Sequence, residues 1–486
     1  MANLARVINQ HGYSIYINSF DSKDIDKVKK ELLITPWTDK PEYGVMEPFK
    51  NYQMTKNRLY MPIRYGITRF GEPDQNLLYP GDDIDLDFKL TLHAYQKPIV
   101  KKTINFIKNQ GGGVLSMYCG GGKTIMAIYI ISVLKKKTLI FVHTQDLLEQ
   151  WIERIKVATP NARVGIIRQS TTDIVDKDIV IAMIQSVSKR QYPHEIFHSF
   201  GFVIADEVHL MATKVFSRGF FKTVSKLSLG LSATPYRTDK CEEIFFQHLG
   251  PIIHYEKRPA NNNLLVNMVI YKINGFRPEY DRSGNVSYVK TLIKVCNNES
   301  RTNFIVSETV KLVKSKRKVL ILGEYVNHLK YINQTLTKAL NDSNHPASCG
   351  LLIGELSKKD RLNARTFDVI IATYKLASVG MDIKDLSALI LASPRKYGTQ
   401  LEQSIGRILR ENDPEMKPMI IDIIDKFYYF YYQGLGSKKG KGRIDFYKEY
   451  GYEIICQQTN NHGVTKIIVS EEEEENVKLS KCLIDI

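Results

Sequence analysis

The sequence lacks most of the features that would place it outside the ordinary globular class. Its 486 residues hold six cysteines (Cys119, Cys241, Cys296, Cys349, Cys456 and Cys482), widely spaced and without a C-x-x-C pair. That spacing speaks against a zinc ribbon and against a small disulfide scaffold, and free thiols in a reducing compartment are expected. The longest clearly apolar helical stretch is Ile125–Leu134, half of the roughly 20 residues that a membrane span needs. The first residues carry no apolar core of a secretory signal. With 30 glycines and 17 prolines the chain is neither collagen-like nor of low complexity. No repeat of about 20–50 residues runs through it, which excludes solenoids and propellers. A soluble, intracellular protein of roughly two to four domains, with no membrane partner, is the expectation.

What is present is charge, unevenly placed. The net charge is +16. Residues 1–90 carry 12 basic and 13 acidic side chains, and residues 411–486 carry 10 and 14. The middle, 91–410, holds 46 basic and 25 acidic residues, a net of +21. A positive excess confined to the middle suits a polyanion, because phosphate neutralisation drives sequence-independent nucleic-acid binding; a basic surface without a specific partner is the plain alternative. The acidic run Glu471–Glu475 reads as a solvated surface segment.

Short β-branched runs alternate with helix-length segments from about residue 90 to 250. Strands are expected at Val114–Met117, Thr138–Val142, Val164–Ile167, Ile179–Met183, Phe202–Ala205 and Leu227–Leu231, with helices at Lys123–Leu134 and Gln145–Lys156 between them. The pattern returns at Lys318–Leu322, Leu351–Ile353, Val369–Ala372, Ala388–Leu391 and Met419–Asp422, with helices at Val326–Ala339 and Leu401–Leu409. Near-continuous apolar strands separated by helices predict an α/β chain with two parallel sheets, each covered by helices. The expected organisation is an N-terminal accessory domain (1–89), a first lobe (90–250), a connecting segment (251–317), a second lobe (318–425) and a C-terminal extension (426–486). The turn-forming Tyr79-Pro80-Gly81-Asp82-Asp83 marks the first boundary.

The sharpest local signal is Cys119-Gly120-Gly121-Gly122-Lys123-Thr124, between a predicted strand and a predicted helix. Glycines let backbone N–H groups approach phosphates, and the helix start adds positive potential. Lys123 then reaches the β/γ-phosphates of ATP, and the Thr124 hydroxyl ligates Mg²⁺. The full eight-residue pattern has Gly where this chain has Met117. The second element is Asp206-Glu207, directly after the buried-strand pattern Phe202–Ala205 and 83 positions after Lys123. Carboxylates at the carboxyl end of such a strand lie where open α/β sheets bind ligands. Asp206 is suited to hold Mg²⁺, and Glu207 to orient and deprotonate the attacking water.

With these residues the chain resembles the superfamily 2 helicases of DExH type, and the resemblance runs in order over about residues 90–425. Gln96, in Leu92–Gln96, is similar to the adenine-reading Q motif. Phe141–Gln145 with Leu147, Gln150 and Trp151 resembles motif Ia, and Ile181–Ser186 the next strand-end motif. Leu229-Gly230-Leu231-Ser232-Ala233-Thr234-Pro235 is similar to motif III. Ile371-Ala372-Thr373 with Gly380, Met381 and Asp382 resembles motif V, and Gln403-Ser404-Ile405-Gly406-Arg407-Ile408-Leu409-Arg410 motif VI. The resemblance implies two tandem RecA-like lobes. It implies a nucleotide held by Gln96, the Cys119–Thr124 loop, Gly380 and Asp382, with arginine fingers Arg407 and Arg410. It further implies coupling through Ser232, Thr234 and Gln403, and nucleic-acid contacts near Thr144, Ser186 and Thr373.

Within the superfamily the chain resembles the group of XPB-type DNA helicases, phage recombination helicases and the transcript-release helicases of large eukaryotic DNA viruses. There Cys-Gly-x-Gly-Lys-Thr without a leading Gly is common, and Leu59–Gly66, Phe70-Gly71 and Arg443–Tyr452 are similar to flanking regions of such proteins. No R-E-D element of the XPB kind is found. The resemblance implies an ATP-dependent motor moving 3′ to 5′ on DNA, with transcription or repair proteins as candidate partners, and a viral source whose compartment is host cytoplasm or virion. An RNA helicase on the same motor is the alternative. A non-catalytic nucleic-acid-binding subunit is disfavoured by Lys123, Asp206, Glu207, Arg407 and Arg410 standing together. The aromatic run Phe427–Tyr432 is expected to pack the second lobe rather than to stack bases.

Overall fold

The computed structural model describes residues 5–37, 47–237, 239–259, 263–343, 347–354, 356, 358–378, 383, 385–408, 416–437, 440–460 and 466–468. The chain divides into two compact units, Met1–Lys257 and Arg258–Ile486.

The first unit opens with strands β1 (Arg6–Asn9) and β2 (Gly12–Tyr16), helix α1 (Ser22–Glu31) and the short pair β3 (Leu33–Ile34) and β4 (Phe49–Lys50). Strands β5 (Gln53–Met54) and β6 (Arg58–Met61), helix α2 (Ile63–Phe70) and strand β7 (Gln75–Asn76) come next. They form a five-stranded sheet of order β5-β6-β2-β1-β7 with its own core of Ile8, Tyr13, Ile15, Leu59 and Met61. Arg64 fastens this small domain to the larger sheet of the same unit. Its guanidinium, 9% exposed, donates to the carbonyls of Gln110 (3.0 Å) and Lys226 (2.8 Å). Gly111 is in the left-handed region (φ +81°) and leaves room for that guanidinium; a Cβ there would lie 2.2 Å from Arg64 Nη1.

The larger sheet is built from α3 (Gln96–Gln110), β8 (Gly112–Met117), α4 (Lys123–Leu134), β9 (Thr138–Val142), α5 (Gln145–Ala158), β10 (Val164–Arg168) and β11 (Thr171–Thr172). Next are β12 (Ile179–Met183), α6 (Ile184–Lys189), β13 (Phe202–Asp206), α7 (Ser217–Lys222), β14 (Leu227–Ser232), α8 (Glu243–Leu249) and β15 (Ile252–Glu256). The eight strands form one sheet of order β11-β10-β12-β9-β13-β14-β8-β15, parallel throughout except at β11. Alternation along each strand feeds two separate cores. Leu115, Ile140, Ile181 and Ile204 face one; Val114, Leu139, Phe141, Val180 and Val203 face the other. That period of two explains why the strands read as continuous apolar runs. Each such side chain, fully buried, contributes up to about 1.5–3 kcal/mol. Helix α4 is buried along most of its circumference, from Met126 to Leu134.

The second unit consists of β16 (Leu265–Lys272), α9 (Tyr288–Cys296), α10 (Glu299–Lys314), β17 (Lys318–Gly323), α11 (Val326–Asp342), β18 (Cys349–Leu352), α12 (Lys358–Ala364) and β19 (Val369–Thr373). Then come α13 (Tyr374–Ser378), β20 (Leu386–Leu391), α14 (Thr399–Ile408), β21 (Met419–Asp425), α15 (Tyr428–Leu435), α16 (Arg443–Glu449), β22 (Glu453–Asn460) and β23 (Lys466–Ile468). Its sheet has the order β18-β19-β17-β20-β21-β16-β22-β23, parallel except at β23. Again two cores lie on opposite faces, with Leu320, Ile370 and Leu389 in one and Val319, Ile371 and Ile390 in the other. The α/β class with two parallel sheets is thus observed, and every strand named from the sequence is present.

The flanks are more integrated than the sequence suggests. The stretch 251–317 contains β15 of the first sheet, β16 of the second and two helices, α9 and α10. The segment after residue 425 contributes α15, α16 and β22, and β22 pairs in parallel with β16 along eight residues. In the aromatic run, Phe430 and Tyr431 are buried, while Tyr429 and Tyr432 are partly exposed. Strand β21 is pinned on both faces by ion pairs. Asp425 takes two hydrogen bonds from Arg301 (Nε–Oδ1 2.6 Å, Nη2–Oδ2 2.9 Å), and Asp422 takes two from Arg443, both at 2.8 Å. Residues three apart on a strand point to opposite faces, so α10 is tied to one side and α16 to the other. Among the described residues, no helix is long and apolar enough to cross a membrane, and Cys119, Cys241, Cys296, Cys349 and Cys456 are free thiols. Cys482 and Glu471–Glu475 lie outside the described residues.

Candidate nucleotide site

Because β8, β9, β12, β13 and β14 run parallel, their carboxyl ends share one edge of the first sheet. Met117, Val142, Met183, Asp206 and Ser232 end there, and the loops beyond them carry the residues singled out from the sequence.

Beyond Met117 the chain turns through Cys119-Gly120-Gly121-Gly122 into α4. Gly120 (φ +92°) and Gly122 (φ +78°) occupy backbone conformations that other residues rarely adopt. A Cβ on Gly122 would also lie 2.2 Å from Gln96 Nε2. The loop wraps the ammonium of Lys123, which donates to the carbonyls of Met117 (2.7 Å) and Tyr118 (3.2 Å). Met117, the departure from the eight-residue pattern, is fully buried and packs its thioether beside Gly121. Gln96 is buried at the start of α3. Its Oε1 accepts from His93 N (3.0 Å) and its Nε2 lies 3.5 Å from the Gly121 carbonyl, so it ties the entry of the lobe to the phosphate loop.

Asp206 ends β13 and is buried. Its Oδ1 accepts from the Glu207 backbone N–H (3.0 Å), and its Oδ2 from the indole N–H of Trp151 on α5 (2.8 Å). Burial pushes this carboxyl above the ordinary carboxylate range, and the charge of Glu207 adds to the rise. Glu207 stands in the left-handed region (φ +48°), a conformation that costs a non-glycine residue energy and concentrates at functional sites. Its Oε2 is buried and makes no hydrogen bond among the described residues. The nearest cationic candidate, His209 Nδ1, is 3.5 Å away and is bonded instead to Ser232 Oγ at 2.9 Å. Burial and the charges of Arg237 and Lys123 hold His209 down to about 4, so it is neutral at pH 7. Thr124, in the first turn of α4, accepts from Arg154 Nη1 on α5 (2.8 Å).

This donor set fits a magnesium nucleotide. Two carboxylates, one raised by burial and one with an unpaired buried oxygen, stand on the same sheet edge as a hydroxyl and a cationic glycine loop. A hard cation is bound by such oxygens. Thr124 Oγ1 and both Asp206 oxygens each spend one acceptor position on the protein and keep another.

From the carboxylates a polar chain continues to β14. Ser232 Oγ, fully buried, bonds His209 and accepts from Thr234 N (3.1 Å), while Thr234 Oγ1 is buried without a partner among the described residues. The sequence signal for the His209 link is its spacing of two from Glu207. Trp151 belongs to a motif, yet the motif does not disclose its partner; a buried indole N–H needs an acceptor, and that need is the signal.

Thr144 and Ser186, read as nucleic-acid contacts, sit at the ends of β9 and β12. Thr144 caps α5, accepting from Leu147 N (3.3 Å), and Ser186 Oγ accepts from Gln169 N (2.9 Å). Gln185 Nε2 donates to the His143 carbonyl (2.7 Å) and joins the two loops. In the second unit Thr373 ends β19 and accepts from Leu376 N (3.3 Å). Gln403 is buried in α14. Gly380, Asp382 and Arg410 lie outside the described residues, as does the side chain of Arg407, whose backbone is in α14.

Residues 89–237 match the family model described as the type III restriction enzyme res subunit, and residues 301–412 match the helicase conserved C-terminal domain. Over 473 residues the chain is 32% identical to a protein of Acanthamoeba polyphaga mimivirus named as an ATP-dependent RNA helicase, covering 93% of this chain and 87% of that one. A protein of African swine fever virus (isolate Pig/Kenya/KEN-50/1950) with the same kind of name is 26% identical over 485 residues, covering 92% of each. Among solved structures, a fragment described as the HsdR subunit of a type I restriction enzyme from Vibrio vulnificus YJ016 superposes with a TM-score of 0.55 at 16% identity. That match covers 79% of this chain and 71% of the other, a likeness of fold.

Proposed function

The chain belongs to the superfamily 2 helicases, ATP-dependent enzymes built on two RecA-like lobes, and on that premise we propose that it is a nucleic-acid-stimulated ATPase that moves along DNA. The observation that carries the catalytic part is the buried Glu207 Oε2, without a hydrogen bond among the described residues, next to Asp206 on the sheet edge that also bears the Lys123 loop. The assignment of DNA rests on the likeness of the motif set to the XPB-type and phage recombination group. RNA is the second reading, favoured by the names of the mimivirus and swine fever virus relatives.

In this mechanism Lys123 exchanges the carbonyls of Met117 and Tyr118 for β/γ-phosphate oxygens, and the loop N–H groups cradle the same phosphates. Thr124 and Asp206 are the residues to hold Mg²⁺, which supplies charge neutralisation at the phosphate oxygens. Glu207 orients a water with its free oxygen and takes its proton. Gln96 reads the adenine edge, with Cys119, Gly380 and Asp382 completing the nucleotide contacts. Arg407 and Arg410 meet the charge that develops at the γ-phosphate. Ser232, Thr234 and Gln403 couple hydrolysis to movement, and Thr144, Ser186 and Thr373 grip strand phosphates, a contact that carries no sequence information. Residues 1–89 and 426–486 flank the motor in this reading, with 90–250 and 318–425 as its two lobes.

Lys123→Ala and Glu207→Gln are expected to abolish ATP hydrolysis while nucleic-acid affinity stays within about threefold of the parent, since base-blind phosphate grips remain. Full turnover by either variant refutes the site. ATPase rates measured in parallel with single-stranded DNA, duplex DNA and RNA, with labelled duplexes to read strand displacement, decide the polymer. Stimulation by RNA alone overturns the DNA assignment.

A further inference from the structure

Two of the groups assigned to the catalytic cation come from different elements, Thr124 from α4 and Asp206 from β13, and one helix touches both. Helix α5 sends Trp151 to Asp206 Oδ2 and Arg154 to Thr124 Oγ1, each at 2.8 Å. The two side chains are three residues apart and so lie on one face of the helix. Trp151 is 1% exposed, and among the described residues its N–H is the one side-chain donor to a carboxylate that is otherwise held by a single backbone N–H. Without it, one backbone N–H at Oδ1 is left to fix the carboxylate's rotation about its χ2 bond. The same helix begins at Thr144, the residue read as a strand contact, whose hydroxyl caps it through Leu147 N at 3.3 Å. Thr144 and Trp151 are separated by two turns, about 10 Å along a rigid rod.

We propose that α5 is the coupling element of the first lobe: a nucleic-acid strand bound at Thr144 shifts the helix, and Trp151 and Arg154 carry that shift to the two side chains that hold Mg²⁺. This rests on the function proposed above. Trp151 and Arg154 are positioning residues, acting on the cation through Asp206 and Thr124. Outer-shell donors of this kind set the orientation of metal-binding oxygens, and their loss typically lowers metal affinity about 10–100-fold.

The chain has two tryptophans, so Trp37→Phe leaves Trp151 as the sole indole. In that background the emission of Trp151 is expected to change when Mg²⁺ and adenylyl imidodiphosphate are added, and to change again on adding oligo(dT) or oligo(U). An emission spectrum indifferent to strand overturns the proposal. In Trp151→Phe, the Mg²⁺ concentration for half-maximal hydrolysis is expected to rise about tenfold or more. Stimulation by oligonucleotide is expected to fall toward unity while oligonucleotide affinity stays within twofold. Arg154→Gln moves both quantities the same way, and Arg154→Lys restores part of the Mg²⁺ dependence. Half-saturation and stimulation both within twofold of the parent overturn the coupling. Lys123→Ala separates the two levels. If it still hydrolyses ATP, the site reading has failed. If it is inactive while Trp151→Phe behaves as the parent, the coupling role alone has failed.

Discussion

Replacing Arg443 tests how the second unit holds its sheet. Arg443, 2% exposed, donates twice to Asp422, which is fully buried, and Tyr447 donates to the same carboxylate at 2.9 Å. A third donor position of the guanidinium reaches the Arg395 carbonyl. Arg443→Ala therefore leaves a buried carboxylate with one hydroxyl donor, an unpaired carbonyl and a void where the side chain lay. Removing one partner of a buried pair costs about 3–5 kcal/mol, because the remaining charge stays desolvated. For a unit of this size each kcal/mol moves the melting temperature by about 2–4 °C, which gives a loss of roughly 6–20 °C. Scanning calorimetry of the full chain reads it, with the transition of the first unit as internal reference. The companion variant combines Arg443→Met with Asp422→Asn, whose amide oxygen still accepts from Tyr447. Removing charge and counter-charge together is expected to recover more than half of the loss. A shift below about 2 °C in the single variant, or a double variant no better than the single, refutes the argument that the desolvated charge dominates.

Two further measurements probe other packing claims. His328 on α11 is 1% exposed with neither ring nitrogen bonded among the described residues, and burial, helped by the nearby Arg301 charge, holds it down to about 3. The unfolded chain takes up a proton below about pH 6.5 and the folded one does not, so stability falls as pH drops from about 6.5 toward 3. The loss reaches roughly 2 kcal/mol at pH 5. His328→Leu should flatten that dependence in urea midpoints taken at pH 7 and pH 5, and an unchanged slope sinks the assignment. In the N-terminal domain, a Cβ on Gly66 would stand 2.2 Å from the buried Tyr13 ring. Gly66→Ala is expected to cost about 1–3 kcal/mol despite the better helix propensity of alanine. Thermal melts monitored by limited proteolysis of this domain check it, and unchanged resistance contradicts the packing.

The strands that bear the site were legible because each is a run of alternately facing apolar residues. Thr138–Val142 and Ile179–Met183 match the observed spans without a residue of error, and Lys123–Leu134 does so as a helix. What the sequence hid was pairing over distance. Leu265–Lys272 is apolar enough to read as a strand, but its neighbours, β21 and β22, lie more than 140 residues further along, so nothing local marks it as the centre of a sheet. The ion pair of Arg301 with Asp425, 124 residues apart, was hidden for the same reason. In the candidate site, residue types and strand-end positions pointed to Lys123, Thr124, Asp206 and Glu207, because the chemistry of phosphate and cation restricts what can stand there. The side chains that orient two of them, Trp151 on Asp206 and Arg154 on Thr124, obey no such restriction, and their roles show themselves only as hydrogen bonds.

The Arg64 anchor has a geometric consequence. Gln110 and Lys226, whose carbonyls it takes, stand at the entries of β8 and β14, whereas the phosphate loop and Ser232 lie at the other ends of those strands. Six residues of strand separate the two edges by about 20 Å. At this contact the N-terminal domain rests on the edge of the first sheet opposite the candidate nucleotide loop, while Trp37 N–H reaches round to the Asp239 carbonyl (2.9 Å), beyond the carboxyl end of β14. A fluorophore or a tether fixed beside Arg64 would therefore sit about 20 Å from the candidate nucleotide loop, on the opposite edge of the same sheet.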